Sequence, residues 1–242
     1  MIYQNRLRSK KVLAFLNDLG SNQTILEVGG GFQPYYRSTH IVDIQPYSKS
    51  RLSETPWGGH RVWERAEYTQ LDVCESRQWP FDDKSFDVGY SSHLLEDVRD
   101  PIHPVREMQR ICKKVIIETP SRLCEQTRGI EHERWCGFWH HRWLVYKEGE
   151  ALIFQKKTPV VELPGCHYVL KPWERVESEG VSFYFVSEGP FPVLEKSFWP
   201  EQKEMEDLKK FIRKNRHQFQ PQCDFNLKLM FYRLKQQCFG IV

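Results

Sequence analysis

The sequence predicts an α/β fold, in which a mostly parallel sheet is flanked by helices and extended by a C-terminal elaboration of strands and helices. Five short runs rich in aliphatic and β-branched residues lie within residues 25–120, and helical patterns alternate with them. Strands that alternate with helices form parallel sheets covered on both faces. The chain of 242 residues is long enough for one such domain with additions.

The first half of the chain is predicted to supply the strands of this sheet. An amphipathic helix that contains the basic run RLRSKK precedes them. Before the fifth strand, residues 94–112 have helical spacing, and Pro101 and Pro104 would divide this stretch into one or two helices. The five predicted strands cover residues 25–28, 41–44, 66–73, 85–92 and 113–120.

The second half is predicted to complete the sheet and to add covering elements. Residues 121–150 are polar, with many His, Trp and Arg. Beyond them we expect short strands at ALIFQKK, PVVEL and VSFYFVSEG, a helix at PEQKEMEDLKKFIRKNRHQF, and a final strand or helix at NLKLMFYRL. Residues 1–120 and 121–242 are therefore expected to be two parts of one compact domain.

Composition disfavours several classes of protein. The net charge of +3 is too small for a dedicated nucleic-acid binder. No apolar run approaches the ~20 residues that a membrane span needs, and no secretory signal is visible. The 7 cysteines are odd in number and scattered, which is typical of reduced thiols and favours the cytoplasm.

The stretch TILEVGGGFQPYYRSTHIVDIQ, residues 24–45, indicates a nucleoside-binding loop. Three glycines follow the first strand, where the backbone turns tightly and can approach a ligand. Asp43 follows the second strand and can accept hydrogen bonds from both hydroxyls of a ribose. A glycine turn with such a carboxylate is shared by folds that bind nicotinamide, flavin or S-adenosylmethionine.

A dinucleotide is disfavoured by the details of this loop. Pro34 stands where the dinucleotide fingerprint, counted from Gly29, requires glycine, and sixteen positions separate Glu27 from Asp43, fewer than the ~20 usual there. Glu27 would repel a pyrophosphate, whereas it could serve the cationic methionine end of a sulfonium cofactor.

The ordered blocks ILEVGGG, VDI and LDVCESRQWPFDDKSFDVGYSSHLLEDVRDPIHPVREMQRICKKVIIETPS resemble the class I S-adenosylmethionine-dependent methyltransferases. The similarity is greatest to the subgroup whose fourth strand resembles FDVVYSSHVLEHV, and it covers residues 24–121. It implies a Rossmann-like core at 1–120, S-adenosylmethionine as cofactor and S-adenosylhomocysteine as product. The cofactor residues that it implies are Glu27, Gly29, Gly30 and Gly31 for the methionine part, Asp43 and Ile44 after the second strand, Asp72 and Val73 for the adenine, and Ser91 at the methionine end.

The chain departs from the family pattern at three points. Gln33 replaces a glycine, the first crossover is short, and Asp97 stands where the family usually has His. Structural roles also stay open for three of these residues. Glu27 could cap a helix, Asp72 could cap the turn after the third strand, and Ser91 could cap the helix expected after the fourth strand.

Methyl transfer depends on alignment of the acceptor with the methyl group, and a general base helps when the acceptor is a hydroxyl or a protonated amine. The candidate bases are His93, after the fourth strand, and His140 and His141 in WCGFWHHRWLV. Arg142 could pair with an anionic group of the acceptor, and Trp143 is a second candidate acceptor contact. We expect residues 129–146 to form a substrate-covering lid. For His93, local hydrogen bonding is an equal alternative.

The sequence therefore predicts an S-adenosylmethionine-dependent methyltransferase that acts on an oxygen or nitrogen of a small molecule or glycan. A non-catalytic, methyltransferase-like scaffold is the alternative, followed by a nucleic-acid methyltransferase, which the modest charge and SSHL after the fourth strand disfavour. No metal is expected, because Cys124, His132, Cys136 and the two adjacent histidines do not match a familiar zinc spacing.

Overall fold

The computed structural model describes residues 10–30, 34–45, 65–171, 174–176, 182–198 and 201–221. The chain forms two compact units, each assembled from separate segments. Unit 1 comprises Met1–Thr119, Val145–Phe154 and Tyr184–Glu195. Unit 2 comprises Pro120–Leu144, Gln155–Phe183 and Lys196–Val242.

Unit 1 is built on a six-stranded sheet. Its strand order is β11-β5-β4-β1-β2-β3, and the four pairings among β1 to β5 are all parallel. The strands are β1 Ile25–Val28, β2 His40–Asp43, β3 Glu67–Gln70, β4 Phe86–Ser92, β5 Cys112–Pro120 and β11 Ser182–Glu188. This topology confirms the predicted Rossmann-like, mostly parallel sheet.

Two helices of unit 1 lie in the described part of the chain: α1, Lys10–Asn17, and α2, Ile102–Ile111. Val12 and Leu16 of α1 are buried together with β1 and β4 side chains in one apolar cluster, as the amphipathic pattern predicted. The proline-containing stretch gives one helix, which begins after Pro101. Pro104 is tolerated inside its first turn, where a backbone N–H has no partner within the helix.

A second sheet has the order β12-β8-β7. Its strands are β7 Trp143–Glu148, β8 Ala151–Lys156 and β12 Val193–Lys196. Gly149 forms the turn between β7 and β8 with φ +60°. The predicted strand at ALIFQKK is thus present, as is the one at VSFYFVSEG, which is β11.

Unit 2 contains two short helices of different kinds before its long helix. The first is α3, Arg122–Glu125, and the second is a 3₁₀ helix over Pro159–Glu162. The strand predicted at PVVEL is therefore wrong: Thr158 caps the backbone N–H of Val160, and proline at the first helical position favours the turn. The remaining elements are β6 Thr127–Arg128, β9 Tyr168–Val169, β10 Glu174–Val176, α4 Glu201–Asn215, a 3₁₀ helix Arg216–Gln218 and β13 Phe219–Pro221.

The C-terminal charged helix is confirmed as α4, which buries Leu208 and Ile212 in two apolar clusters of unit 2. The element predicted at NLKLMFYRL lies outside the described residues. Within the described part of the chain, none of the helices combines the length and the apolar character that crossing a membrane requires.

Candidate functional site

The parallel register of unit 1 brings the carboxyl ends of three strands together. Val28, the last residue of β1, pairs with Val42 of β2 on one side and with Ser91 of β4 on the other. The residues that follow these positions, Gly29 and Asp43 among them, therefore lie at one edge of the sheet. Open α/β sheets bind their ligands at this edge.

The backbone of the glycine turn after β1 lies close to neighbouring side chains. Gly29 has φ +78°, and a Cβ placed on it would lie 2.6 Å from Leu94 Cδ2. A Cβ on Gly30 would lie 3.1 Å from Ile41 Cγ2. Gly29 therefore requires a residue without a side chain, whereas a side chain at Gly30 would be tightly packed against Ile41. Gly31, the third glycine of the predicted site, lies outside the described residues.

Glu27 points its buried carboxylate into the connection between β1 and β2. Its Oε2 accepts hydrogen bonds from the backbone N of Tyr35, at 2.6 Å, and from Ser38 Oγ, at 2.5 Å. Glu27 thus holds the short crossover between β1 and β2, but it does not cap a helix there, because residues 34–38 form a turn.

Asp43 and Ile44 stand at the end of β2. Asp43 is 8% exposed, and its Oδ1 accepts a hydrogen bond of 2.9 Å from Gln45 N. Ile44 is 56% exposed, which is unusual for a large aliphatic side chain at the end of an interior strand. Burial and the charge of Asp43 together raise the pKa of the neighbouring Tyr68 to about 12. The two residues offer an acceptor and an apolar surface side by side.

Asp72 and Val73 follow β3. Asp72 Oδ1 accepts a hydrogen bond of 2.9 Å from Cys74 N, and Oδ2 lies 3.1 Å from Arg99 Nη2. Val73 is buried. The carboxylate therefore caps its own turn, as the structural alternative for Asp72 predicted, and this contact fixes the backbone at Val73.

Ser91 and His93 lie at the end of β4. The Ser91 side chain is fully buried, and its Oγ has no hydrogen-bond partner in the described part of the chain. His93 has a left-handed backbone with φ +52°, and its Nδ1 lies 3.4 Å from Glu96 Oε1. Turns occupy residues 95–97 and the next helix begins at Ile102, so the structure excludes the helix-capping alternative for Ser91.

His140 and His141 belong to unit 2 and precede β7. His140 is exposed, whereas His141 is buried and its Nδ1 lies 2.7 Å from Glu125 Oε1. Arg142 is exposed, and Trp143, the first residue of β7, is buried. His141 is thus held by the buried carboxylate of Glu125.

Two residues near His141 were not identified from the sequence, Glu125 and Lys157. Glu125 is 1% exposed and also accepts a hydrogen bond of 2.6 Å from Lys157 Nζ. Glu125 and Lys157 are 16 and 32 positions apart from their partners in these bonds, so no local motif could have revealed them. Only the tertiary fold of unit 2 brings the three side chains together.

The possible metal ligands near Cys136 in the structure differ from the cysteines and histidines that the sequence suggested. Cys136, Glu162 and His167 have possible ligand atoms within 4.8 Å of one another. Glu162 is already paired with Arg128 at 2.8 Å and accepts a hydrogen bond from Cys136 N. Burial raises the pKa of the Cys136 thiol, and the charge of Glu162 raises it further, so the thiolate that a metal prefers is disfavoured.

Residues 27–115 match the family model described as a methyltransferase domain. Solved structures with similarity to the chain include YcgJ from Bacillus subtilis, which is 19% identical over 46% of this chain and 50% of its own, with a TM-score of 0.35. An S-adenosylmethionine-dependent methyltransferase from Mesorhizobium loti is 18% identical over 49% of this chain and 57% of its own, with a TM-score of 0.36. A SAM-dependent methyltransferase from Aquifex aeolicus is 17% identical over 46% of this chain and 63% of its own, with a TM-score of 0.31.

The chain thus spans between half and two thirds of the length of these three proteins. No curated protein sequence matches it. The match of residues 27–115 to a methyltransferase domain agrees with the resemblance found in the sequence.

Proposed function

We propose that the protein transfers a methyl group from S-adenosylmethionine to an oxygen or nitrogen atom of a small molecule or glycan. The observation that carries this proposal is the parallel register of β1, β2 and β4. It brings the glycine turn, the Asp43 carboxylate and the buried hydroxyl of Ser91 to one edge of the sheet. When bound, the cofactor supplies an electrophilic methyl group on a sulfonium.

The residues at this edge fit the cofactor. Gly29 and Gly30 leave the backbone open to a close ligand, and among the described residues the buried Ser91 Oγ has no hydrogen-bond partner, which a ligand could provide. We assign the ribose to Asp43 and a face of the adenine to the exposed Ile44. Asp72, Val73 and the glycine at position 31 complete the proposed contacts, and Glu27 holds the crossover that carries them.

The acceptor is assigned to the second half of the chain, because the first half is occupied by the cofactor. The exposed Arg142 guanidinium suits an anionic group on the acceptor, and Trp143 is a further candidate contact. His140, His141 and His93 stay candidate bases. The net charge of +3 disfavours a nucleic-acid acceptor. The scattered cysteines, five of which are free thiols in the described residues, support a reducing compartment such as the cytoplasm.

Calorimetric titration with S-adenosylhomocysteine tests the proposal. The parent protein should bind with micromolar affinity, and Asp43→Ala should weaken binding at least about tenfold, because charge-assisted hydrogen bonds to the ribose are lost. Asp43→Asn separates charge from shape, since an amide oxygen can still accept from Gln45 N. Asp18→Ala, at an exposed aspartate of the same unit, is the matched control and should bind as the parent does.

Two results would contradict the assignment. Equal affinity of Asp43→Ala and the parent would remove Asp43 from the cofactor site. If the folded parent protein gave no heat of binding with S-adenosylhomocysteine, the result would favour the non-catalytic, methyltransferase-like scaffold instead.

A further inference from the structure

Among the described residues, the six-stranded sheet of unit 1 ends at β11 on one side and at β3 on the other. An edge strand presents backbone N–H and C=O groups that can form hydrogen bonds with another chain. Natural proteins discourage such pairing with short edge strands and with charged residues or proline in them. The two edges of this sheet differ in these features.

The β3 edge is short and polar, whereas the β11 edge is longer and apolar. β3 has four residues, and its first and last side chains, Glu67 and Gln70, are exposed. β11 has seven residues, SFYFVSE, without lysine or proline. Its single charged residue, Glu188, ends the strand and pairs with Lys114 of β5. The middle of β11 therefore contains no residue that discourages pairing with another strand.

Two apolar side chains of β11 are exposed. Tyr184 is 42% and Val186 is 40% exposed, whereas Phe185 between them is 5% exposed. Successive side chains point to opposite faces of a strand, so Tyr184 and Val186 share one face and Phe185 lies on the other. The Lys11 ammonium lies 5.8 Å from the centroid of the Tyr184 ring, and the ring of Phe185 packs against that of Phe191. Exposed apolar side chains along an edge strand are typical of a surface that another chain covers.

The sequence of β11 is self-complementary around Phe185. When two identical strands pair antiparallel with Phe185 at the twofold axis, Tyr184 of each copy lies opposite Val186 of the other. An aromatic residue opposite a β-branched residue is a stabilising cross-strand pair, and the symmetry forms this pair twice. Glu188 lies outside these two pairs and is compensated by Lys114 of its own copy. The edge therefore suits a second copy of this chain in side-chain type and in charge.

We propose that β11 of one copy pairs antiparallel with β11 of a second copy, centred on Phe185, so that the protein forms a twofold-symmetric dimer. The interface is isologous, because each copy contributes the same surface. Backbone hydrogen bonds between the two strands supply the affinity, and the two pairs of Tyr184 with Val186 set the register. The inference does not depend on the proposed function, since none of the residues assigned to the cofactor or the acceptor takes part.

Analytical ultracentrifugation of the full chain tests the inference. Over a concentration series in the micromolar range, the mass should rise from that of one chain towards that of two, because an interface of one strand pair is small and dissociates on dilution. Hydrogen–deuterium exchange gives a second readout on the same protein. The amides of residues 184–188 should exchange more slowly at the high concentration, since pairing protects the outward N–H groups. A parent protein that keeps the mass of one chain throughout would overturn the inference.

Two double variants test the register of the strand pair. In Tyr184→Lys/Val186→Lys, like charges stand opposite each other at both central pairs, so the dissociation constant of the dimer should rise at least about tenfold. In Tyr184→Glu/Val186→Lys, opposite charges face each other at the same two pairs. The dissociation constant should then return close to that of the parent, because opposite charges across strands stabilise a sheet about as much as such apolar pairs do.

Leu163→Lys/Val169→Lys is the matched control. These side chains are 45% and 55% exposed, so the variant adds the same charge at apolar positions of similar exposure. It should dimerise as the parent does, and circular dichroism establishes that each variant is folded. Parental affinity in Tyr184→Lys/Val186→Lys would overturn the inference. An equal loss of affinity in both β11 variants would also overturn it, because only the assigned register distinguishes the sign of the charge at position 184.

Discussion

At the scale of single residues, Gly29 shows how one position controls the loop after β1. Gly29→Ala should destabilise the protein by about 2–5 kcal/mol, the sum of left-handed backbone strain and overpacking. The strain follows from φ +78°, and the overpacking follows from the 2.6 Å approach to Leu94 Cδ2. Urea unfolding followed by circular dichroism measures the change in the free energy of unfolding.

A double-mutant cycle separates these two causes. In a Leu94→Gly background the Cβ and both Cδ atoms that a Cβ on Gly29 would meet are gone, so the cost of Gly29→Ala should fall to the strain alone, about 1–2 kcal/mol. An equal cost in both backgrounds would show that Leu94 does not limit this position.

The candidate cofactor residues of unit 1 and the buried ion pair of unit 2 differ in how far the sequence could predict them. Gly29, Asp43 and Ser91 each end or follow an apolar strand, and parallel strands end at a common edge, so their proximity could be expected from chain order. Glu125 belongs to a single helical turn and Lys157 directly follows β8, and neither stretch has a distinctive pattern. Their meeting depends on tertiary packing, which one sequence does not display.

At the scale of elements, Glu107 of α2 forms hydrogen bonds that connect this helix to the loop before β4. Its Oε2 accepts from Arg110 Nη2 and from Trp79 N, each at 2.7 Å. Burial alone raises the pKa of the Glu107 carboxyl, but these hydrogen bonds outweigh burial, so the pKa lies below its ordinary value of 4.5. The ionised carboxylate therefore stabilises the folded state, and protonation removes that contribution.

The contribution of Glu107 to the free energy of unfolding should therefore decrease as the pH falls. Glu107→Gln should lower the free energy of unfolding by about 1.5–3 kcal/mol at pH 7, the range for hydrogen bonds to charged groups. The deficit relative to the parent should be complete above pH 4.5 and shrink as the pH falls through the lowered pKa of Glu107. Denaturant titrations between pH 7 and pH 3 measure it, with Asp82→Asn at an exposed position as control. A deficit that stayed constant over this range would contradict the assignment.

Element types could be predicted where burial and residue spacing agree. The prediction was wrong where a capping residue outweighs the preference of the other residues. The buried run of β1 and the amphipathic α4 follow directly from periodicity. At residues 159–162, β-branched valines favour a strand, yet Thr158 and Pro159 supply the start signals of a helical turn. Local capping therefore decides this short segment.

At the scale of the whole molecule, unit 1 is not continuous in the chain. Its six-stranded sheet includes β11, which comes 62 residues after β5 ends and lies beside it. Lys114 of β5 pairs with Glu188 of β11, and Gln109 Oε1 accepts a hydrogen bond from Phe191 N at 2.9 Å. The parallel core that sequence motifs identify thus depends on segments that carry no motif.

A fragment of residues 1–120 should consequently fail to unfold cooperatively, although it contains the whole family match. Without β11 the β5 edge is unpaired, and an exposed edge strand invites association between chains. Guanidinium unfolding followed by circular dichroism should give a broad transition for the fragment and a sharp one for the full chain. As a control, a protease site inserted at the Gly149 turn keeps every strand after cleavage and should preserve the sharp transition, because a Cβ placed on Gly149 would meet no described neighbour within 4 Å. A fragment that unfolds as sharply as the full chain, at the same midpoint, would show that the five parallel strands suffice for a stable core.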